Sequence, residues 1–145
     1  MGRRTLGCLV CCGLLAPGAS AQTLVREVRA AIAKTDFGQG EALIEKYRAS
    51  KGVTAEMLEA QSWLGRGALA SGDTDRAIRY SQETRGLVVA MLLGRGLDAD
   101  RHLPTALGAA IETEAKAMAA TGQRASAVRF LQQQRDAYRA TSIRA

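Results

Sequence analysis

The chain has 145 residues, with 20 Lys and Arg, 14 Asp and Glu, one His, three Cys and six aromatics, and 47% of it is hydrophobic. That length holds one domain with an appendage, and apolar residues interspersed with charge argue for a packed core and against disorder. Two prolines and an abundance of Ala, Leu, Arg, Glu and Gln favour helix, while a disulfide scaffold, a collagen-like chain and a multi-span membrane protein are excluded.

The first segment does not belong to the fold. Met1-Gly2-Arg3-Arg4 is basic, residues 6–16 are apolar, and Pro17-Gly18 leads into Ala19-Ser20-Ala21. A basic start, a short apolar middle and a small-x-small end make residues 1–21 a secretory signal peptide. Its removal leaves residues 22–145 as an exported domain, periplasmic or secreted. The apolar stretch is about half the ~20 residues that a bilayer span needs, so a stable anchor is the poorer reading. Cys8, Cys11 and Cys12 all lie inside it. Cys8-x-x-Cys11 has the spacing of a redox pair but no preceding strand and no charged helix terminus to lower a thiol pKa. Acylation as a lipoprotein is the alternative, and no small residue precedes Cys11 or Cys12 to favour it. The mature chain is expected to carry no cysteine, no metal and no cofactor.

Six helices follow. The first covers about residues 23–34, with Leu24, Val25, Val28, Ala31 and Ile32 recurring at three- and four-residue steps. The second runs through Ala42, Leu43, Ile44 and Tyr47 and ends at Lys51-Gly52. Thr54 can cap the third, with Glu56 and Glu59 in its first turns and Met57, Leu58, Trp63, Leu64 and Ala68 among its apolar positions. Ser71-Gly72-Asp73 stops it. Asp73 or Thr74 caps the fourth, which holds Ala77, Ile78, Tyr80, Leu87, Val88, Met91 and Leu92. Residues 87–93 form an unbroken apolar run, too short for a membrane span and expected to be buried on several sides. After an irregular connection over 94–101, Pro104 opens the fifth helix, which ends at Thr121-Gly122. The sixth covers about residues 125–138. No segment alternates as a strand would, and the chain reads as all-α.

Without Arg3 and Arg4, 18 basic residues face 14 acidic ones. The excess falls in residues 122–145, where Arg124, Arg129, Arg135, Arg139 and Arg144 face one acid, Asp136. They are spread around a helix, as a solvated face would be, and export argues against a nucleic-acid partner.

Short Gly-containing turns between paired helices suggest antiparallel hairpins stacked as a repeat. Leu64-Gly65, Gly72-Asp73, Asp75 and Ala77 match the tetratricopeptide pattern, although Trp63 stands two positions later than that pattern's Trp. Ala42 and Ala127 are read as the counterparts of Ala77, at spacings of 35 and 50 residues. The expected architecture is a tetratricopeptide-like right-handed stack of about six helices.

No catalytic cluster emerges. His102 has Asp98 and Asp100 nearby, too few ligands in the wrong order for a metal, and is expected to cap the fifth helix or pack at the loop base. Glu112 and Glu114 are two apart on a helix and point to different faces. No serine sits in a Gly-x-Ser-x-Gly turn, and no glycine-rich loop carries a phosphate-binding Lys. The aromatics Trp63, Tyr80, Phe130 and Tyr138 fall at core or interface spacing. In a stack of this kind the first helix of each pair lines a groove that holds a peptide or protein segment, and in the best hairpin that face includes Glu59, Ser62 and Arg66.

Three runs are more specific. Residues 62–69 (Ser-Trp-Leu-Gly-Arg-Gly-Ala-Leu), residues 97–112 beginning Leu-Asp-Ala-Asp-Arg-His-Leu-Pro, and residues 138–144 (Tyr-Arg-Ala-Thr-Ser-Ile-Arg) resemble the helical region of some exported bacterial thioredoxin-family proteins. In that family a signal peptide leads into tetratricopeptide-like helices, and a thioredoxin-fold domain with a C-x-x-C follows. The chain ends at Ala145, before any counterpart of that domain, so no catalytic residue carries over. The resemblance implies a non-catalytic, exported helical interaction module; the alternative is an accessory subunit or truncated fragment of a periplasmic thiol-disulfide oxidoreductase. It also implies a thioredoxin-like domain as one partner, or weak self-association, through the C-terminal helix and an exposed Ile143.

Overall fold

The computed structural model describes residues 24–143. The expected signal peptide, its three cysteines and Arg144 lie outside the described residues. Six α-helices make up the fold: α1 (Leu24–Ala33), α2 (Phe37–Lys51), α3 (Ala55–Ala70), α4 (Thr74–Leu92), α5 (His102–Ala120) and α6 (Arg124–Ala137). A single 3-10 turn, Leu97–Ala99, interrupts the α4–α5 connection. The fold is all-α, with no strand among the described residues.

Three connections are built as one and the same turn. The N–H groups of Asp36, Asp73 and Gln123 reach back to the carbonyls of Ala31, Ala68 and Met118 at 3.0, 2.9 and 2.9 Å. That closure needs a left-handed residue just past the helix, supplied by Thr35, Gly72 and Gly122 at φ 56°, 84° and 85°. Glycine takes this conformation freely, whereas the β-branched Thr35 is strained in it. Asp36 and Asp73 then cap the following helix by accepting the N–H of Gln39 (2.9 Å) and Arg76 (3.0 Å). Gln123 makes no side-chain cap.

The turn also fixes the register of the hairpins. Four residues after each cap stand Gly40, Ala77 and Ala127, whose N–H groups bond the cap carbonyls, and all three are buried. Ala42, expected to match Ala77, is exposed. The small residue of the first hairpin is therefore Gly40, where an added Cβ would stand 2.8 Å from Leu64 Cδ2.

Helices α1, α3 and α5 lie side by side; α4 packs on both α3 and α5, α2 mainly on α1 and more lightly on α3, and α6 on α5. Val28, Met57, Leu58, Val88, Leu103 and Leu107 form the fully buried centre. Backbones approach closely at Gly65, where a Cβ would meet Ser81 Oγ of α4 at 3.2 Å and Thr113 Cγ2 of α5 at 3.6 Å.

Two further expectations need correction. The apolar run 87–93 is not buried on several sides: Val88 is, but Val89 is exposed and Leu93 is 90% exposed. Leu87, Met91 and Leu92 pack partly against the core beside Val88, whereas Val89, Ala90 and Leu93 fall on the other side of the helix and face solvent. Ile143 is half-buried against the core rather than exposed. The chain turns back after α6, and Ser142 donates both its N–H (3.2 Å) and its hydroxyl to the Asp98 carboxylate. No helix among the described residues is long and apolar enough to cross a membrane.

Candidate functional site

One stripe of α3 runs between α1 and α5 and carries Glu56, Glu59, Trp63 and Arg66, residues three or four apart and so on one helix face. Thr54 starts the helix as expected, accepting the N–H of Met57 at 3.2 Å. Glu56 fastens three helices: its carboxylate accepts the N–H of Leu24 at the start of α1 and the hydroxyl of Tyr47 from α2, both at 3.1 Å.

Beyond it the stripe is charged and paired across to α5. Glu59 Oε2 lies 2.5 Å from His102 Nδ1. Arg66 Nη2 reaches Glu112 Oε2 at 3.3 Å, and Lys116 holds the other oxygen of Glu112 at 2.5 Å. The hydrogen bond from Lys116, aided by the charges of Lys116 and Arg66, keeps the Glu112 carboxyl below the usual glutamate range. The pairs around Glu112 are substantially exposed and set geometry more than stability, whereas Glu59 and His102 are largely buried. Between the two groups sits Trp63, half-buried, with the Arg29 guanidinium of α1 at 4.3 Å from the ring centroid and that of Arg66 at 5.0 Å.

Of the three residues expected to line a groove, Glu59 and Arg66 reach this surface. Ser62 does not: it is 3% exposed and its hydroxyl donates to the Glu59 carbonyl at 2.7 Å. Two clefts open beside the Trp63 cluster. One, about 460 Å3, is lined by Val25, Glu56, Glu59, Arg101, His102 and Thr105. The other, about 350 Å3, is lined by Arg66, Leu69, Ala70, Glu112, Thr113 and Lys116.

The residues around His102 diverge. Asp100 accepts the His102 N–H at 2.8 Å, Asp98 is taken by Ser142, and the imidazole turns to Glu59. No group of three or more His, Cys, Asp or Glu side chains among the described residues is placed to hold a metal. Glu112 and Glu114 do point apart. Glu114, its side chain 6% exposed, accepts from Arg85 Nε and Gln82 Nε2, both at 3.1 Å. Arg85 also lies over the Phe130 ring at 5.3 Å, which ties α4, α5 and α6 together.

Sequence reasoning placed Trp63 only as packing and missed Arg29, His102 and Glu112 as parts of this face. Charged residues at four before and three after the lone tryptophan were the available signal for Trp63. The partners lie 43 and 46 residues away on α5, and no local pattern encodes such pairings. Compared with known families, curated proteins and solved structures, the chain has no match.

Proposed function

We propose that the chain is a non-catalytic helical interaction module, exported by the segment 1–21, whose α1–α3–α5 face holds a peptide or protein segment. The observation that carries this reading is Trp63: a half-buried indole with the guanidiniums of Arg29 and Arg66 at 4.3 and 5.0 Å from its ring centroid, while its α3 neighbours Glu59 and Arg66 each line an open cleft. Tryptophan and arginine are enriched among the residues that dominate protein contacts, a large ring burying much area and a planar guanidinium offering five donors and a stacking face. Glu56, Glu59 and Glu112 lock the helices that present them, so the surface is preorganised for a partner. The repeated hairpin turn fits a tetratricopeptide-like stack, in which the first helices of successive pairs share one face.

The test is selection of peptides from a random displayed library on the mature chain, followed by binding measurements on Trp63→Ala and Arg66→Ala. Enriched peptides should lose at least tenfold in affinity for both variants, the scale of a central anchor. Enriched peptides that bind both variants as well as the parent would refute the assignment of the face.

A second reading, an accessory to a thioredoxin-like protein, draws on a different observation. An apolar groove of about 420 Å3 between α5 and α6 is lined by Gly108, Ile111, Ala115, Leu131 and Ile143, with Glu112 and Lys116 at its rim. Apolar surface of that kind is what an adjoining domain would cover.

A further inference from the structure

On the other side of α3, the helices α2 and α4 both rest on α3 but barely touch one another. The gap is a cleft of about 290 Å3 whose floor includes Ile44 and Leu64, 4% and 2% exposed, and whose walls carry Glu41, Glu45, Glu83 and Arg79. Gln61 lies in that floor at 4% exposure. No hydrogen bond among the described residues engages its amide, which is left to face the cleft.

The charges in the cleft do not cancel. Three carboxylates face the single guanidinium of Arg79, and that cation is set over the Tyr80 ring at 5.4 Å rather than on an acid. Glu41 accepts the Tyr80 hydroxyl. Glu45 has only a loose, exposed contact to Arg48 at 3.8 Å. Glu83 forms no ion pair among the described residues. A ligand drawn here is cationic, and the apolar floor suits one whose charge ends a hydrocarbon stem.

We infer that this cleft binds an alkyl-ammonium cation, the end of a lysine side chain or of a polyamine, with its stem on Ile44 and Leu64 and its N–H groups on the Gln61 amide oxygen and the carboxylates of Glu41, Glu45 and Glu83. An ammonium has three donors and no acceptor, which matches a set that offers an amide oxygen and carboxylates. It would give Gln61 the partner it lacks. The site is separate from the Trp63 face and does not depend on the function proposed for that face.

Calorimetric titration of the mature chain with two probes tests this: spermidine, and Nα-acetyl-lysine N-methylamide. Binding of spermidine alone assigns a free polyamine; binding of the lysine derivative assigns a partner's side chain. Gln61→Leu keeps the floor apolar and removes the amide. It should weaken the bound probe about tenfold, the worth of one hydrogen bond to a charged group, while leaving the circular dichroism spectrum unchanged. Glu83→Gln should weaken it further, and Trp63→Ala should leave it unaltered. Failure of both probes to bind at millimolar concentration would overturn the inference. So would equal binding by the parent and Gln61→Leu, which would reduce the effect to diffuse charge attraction.

Discussion

Replacing two helical glycines with alanine separates the packing of α1 on α3 from helix propensity. Gly86 lies inside α4, exposed, and a Cβ there would meet nothing within 4 Å. Gly86→Ala therefore keeps only the propensity gain, about 0.5–1 kcal/mol of added stability. Gly67 has the same propensity to gain, but its Cβ would stand 2.5 Å from Ile32 Cγ2 and 3.3 Å from Phe37 Cε1. That is about 1 Å inside the normal separation of carbon atoms. The methyl is on the β-branch of Ile32, held by a stiff χ1, and cannot swing aside as a long side chain would. Overpacking of this kind costs about 1–3 kcal/mol, so Gly67→Ala should be neutral to destabilising despite its better propensity. Thermal melts followed by circular dichroism would read the contrast. At about 3–5 °C per kcal/mol for a domain of this size, the two variants should differ by about 5 °C or more, with Gly86→Ala the higher. Equal rises for both would mean that α1 does not seat on α3 at Gly67, and the Arg29–Trp63 contact would lose its basis.

Glu114→Ala should cost about 2–3 kcal/mol in urea denaturation, because Arg85 and Gln82 are left facing a gap and Arg85 is only 30% exposed; Glu112→Ala, on the surface, should cost under about 1 kcal/mol. Tyr80 is pushed up to about 12, first by burial and then by its hydrogen bond to Glu41, so a phenolate absorbance titration of the folded chain should show one of the three tyrosines ionising late. Because the folded value lies above the unfolded 10.0, this contribution to stability is complete below pH 10 and is lost as pH rises through about 12; a titration in which Tyr80→Phe removes no late-ionising phenol would contradict the Tyr80–Glu41 contact. N-terminal sequencing of the product from a secreting host should begin at Gln22, and retention of Cys8 would defeat the export reading.

The elements were legible because their signals are local. Gly52, Gly72 and Gly122 mark helix ends through the one conformation that glycine takes freely, and Thr54 and Asp73 cap as their side chains dictate. The first hairpin turn was harder to read because Thr35, a residue that resists positive φ, occupies the position held by glycine in the other two. That hid the alignment and shifted the small residue from Gly40 to Ala42. The apolar run at the end of α4 misled for another reason: an unbroken run carries no periodicity to say which of its residues face a neighbouring helix and which face solvent. At the candidate face, Glu59 and Arg66 follow from helical spacing, but Ser62 turns inward because its hydroxyl is satisfied by the preceding turn of its own helix. The pairings of Glu59 with His102 and of Arg66 with Glu112 depend on how α5 lies against α3, which is set by core packing around Leu58, Leu103 and Leu107 rather than by any motif.

Trp63 is the only tryptophan in the chain, so its emission reports on the proposed face and on nothing else. A peptide enriched by display and titrated into the mature chain should shift and saturate that emission at one peptide per chain, and Arg66→Ala should weaken the titration at least tenfold. A peptide that binds by calorimetry while leaving the Trp63 emission unchanged would contradict the account and move the binding surface elsewhere on the fold.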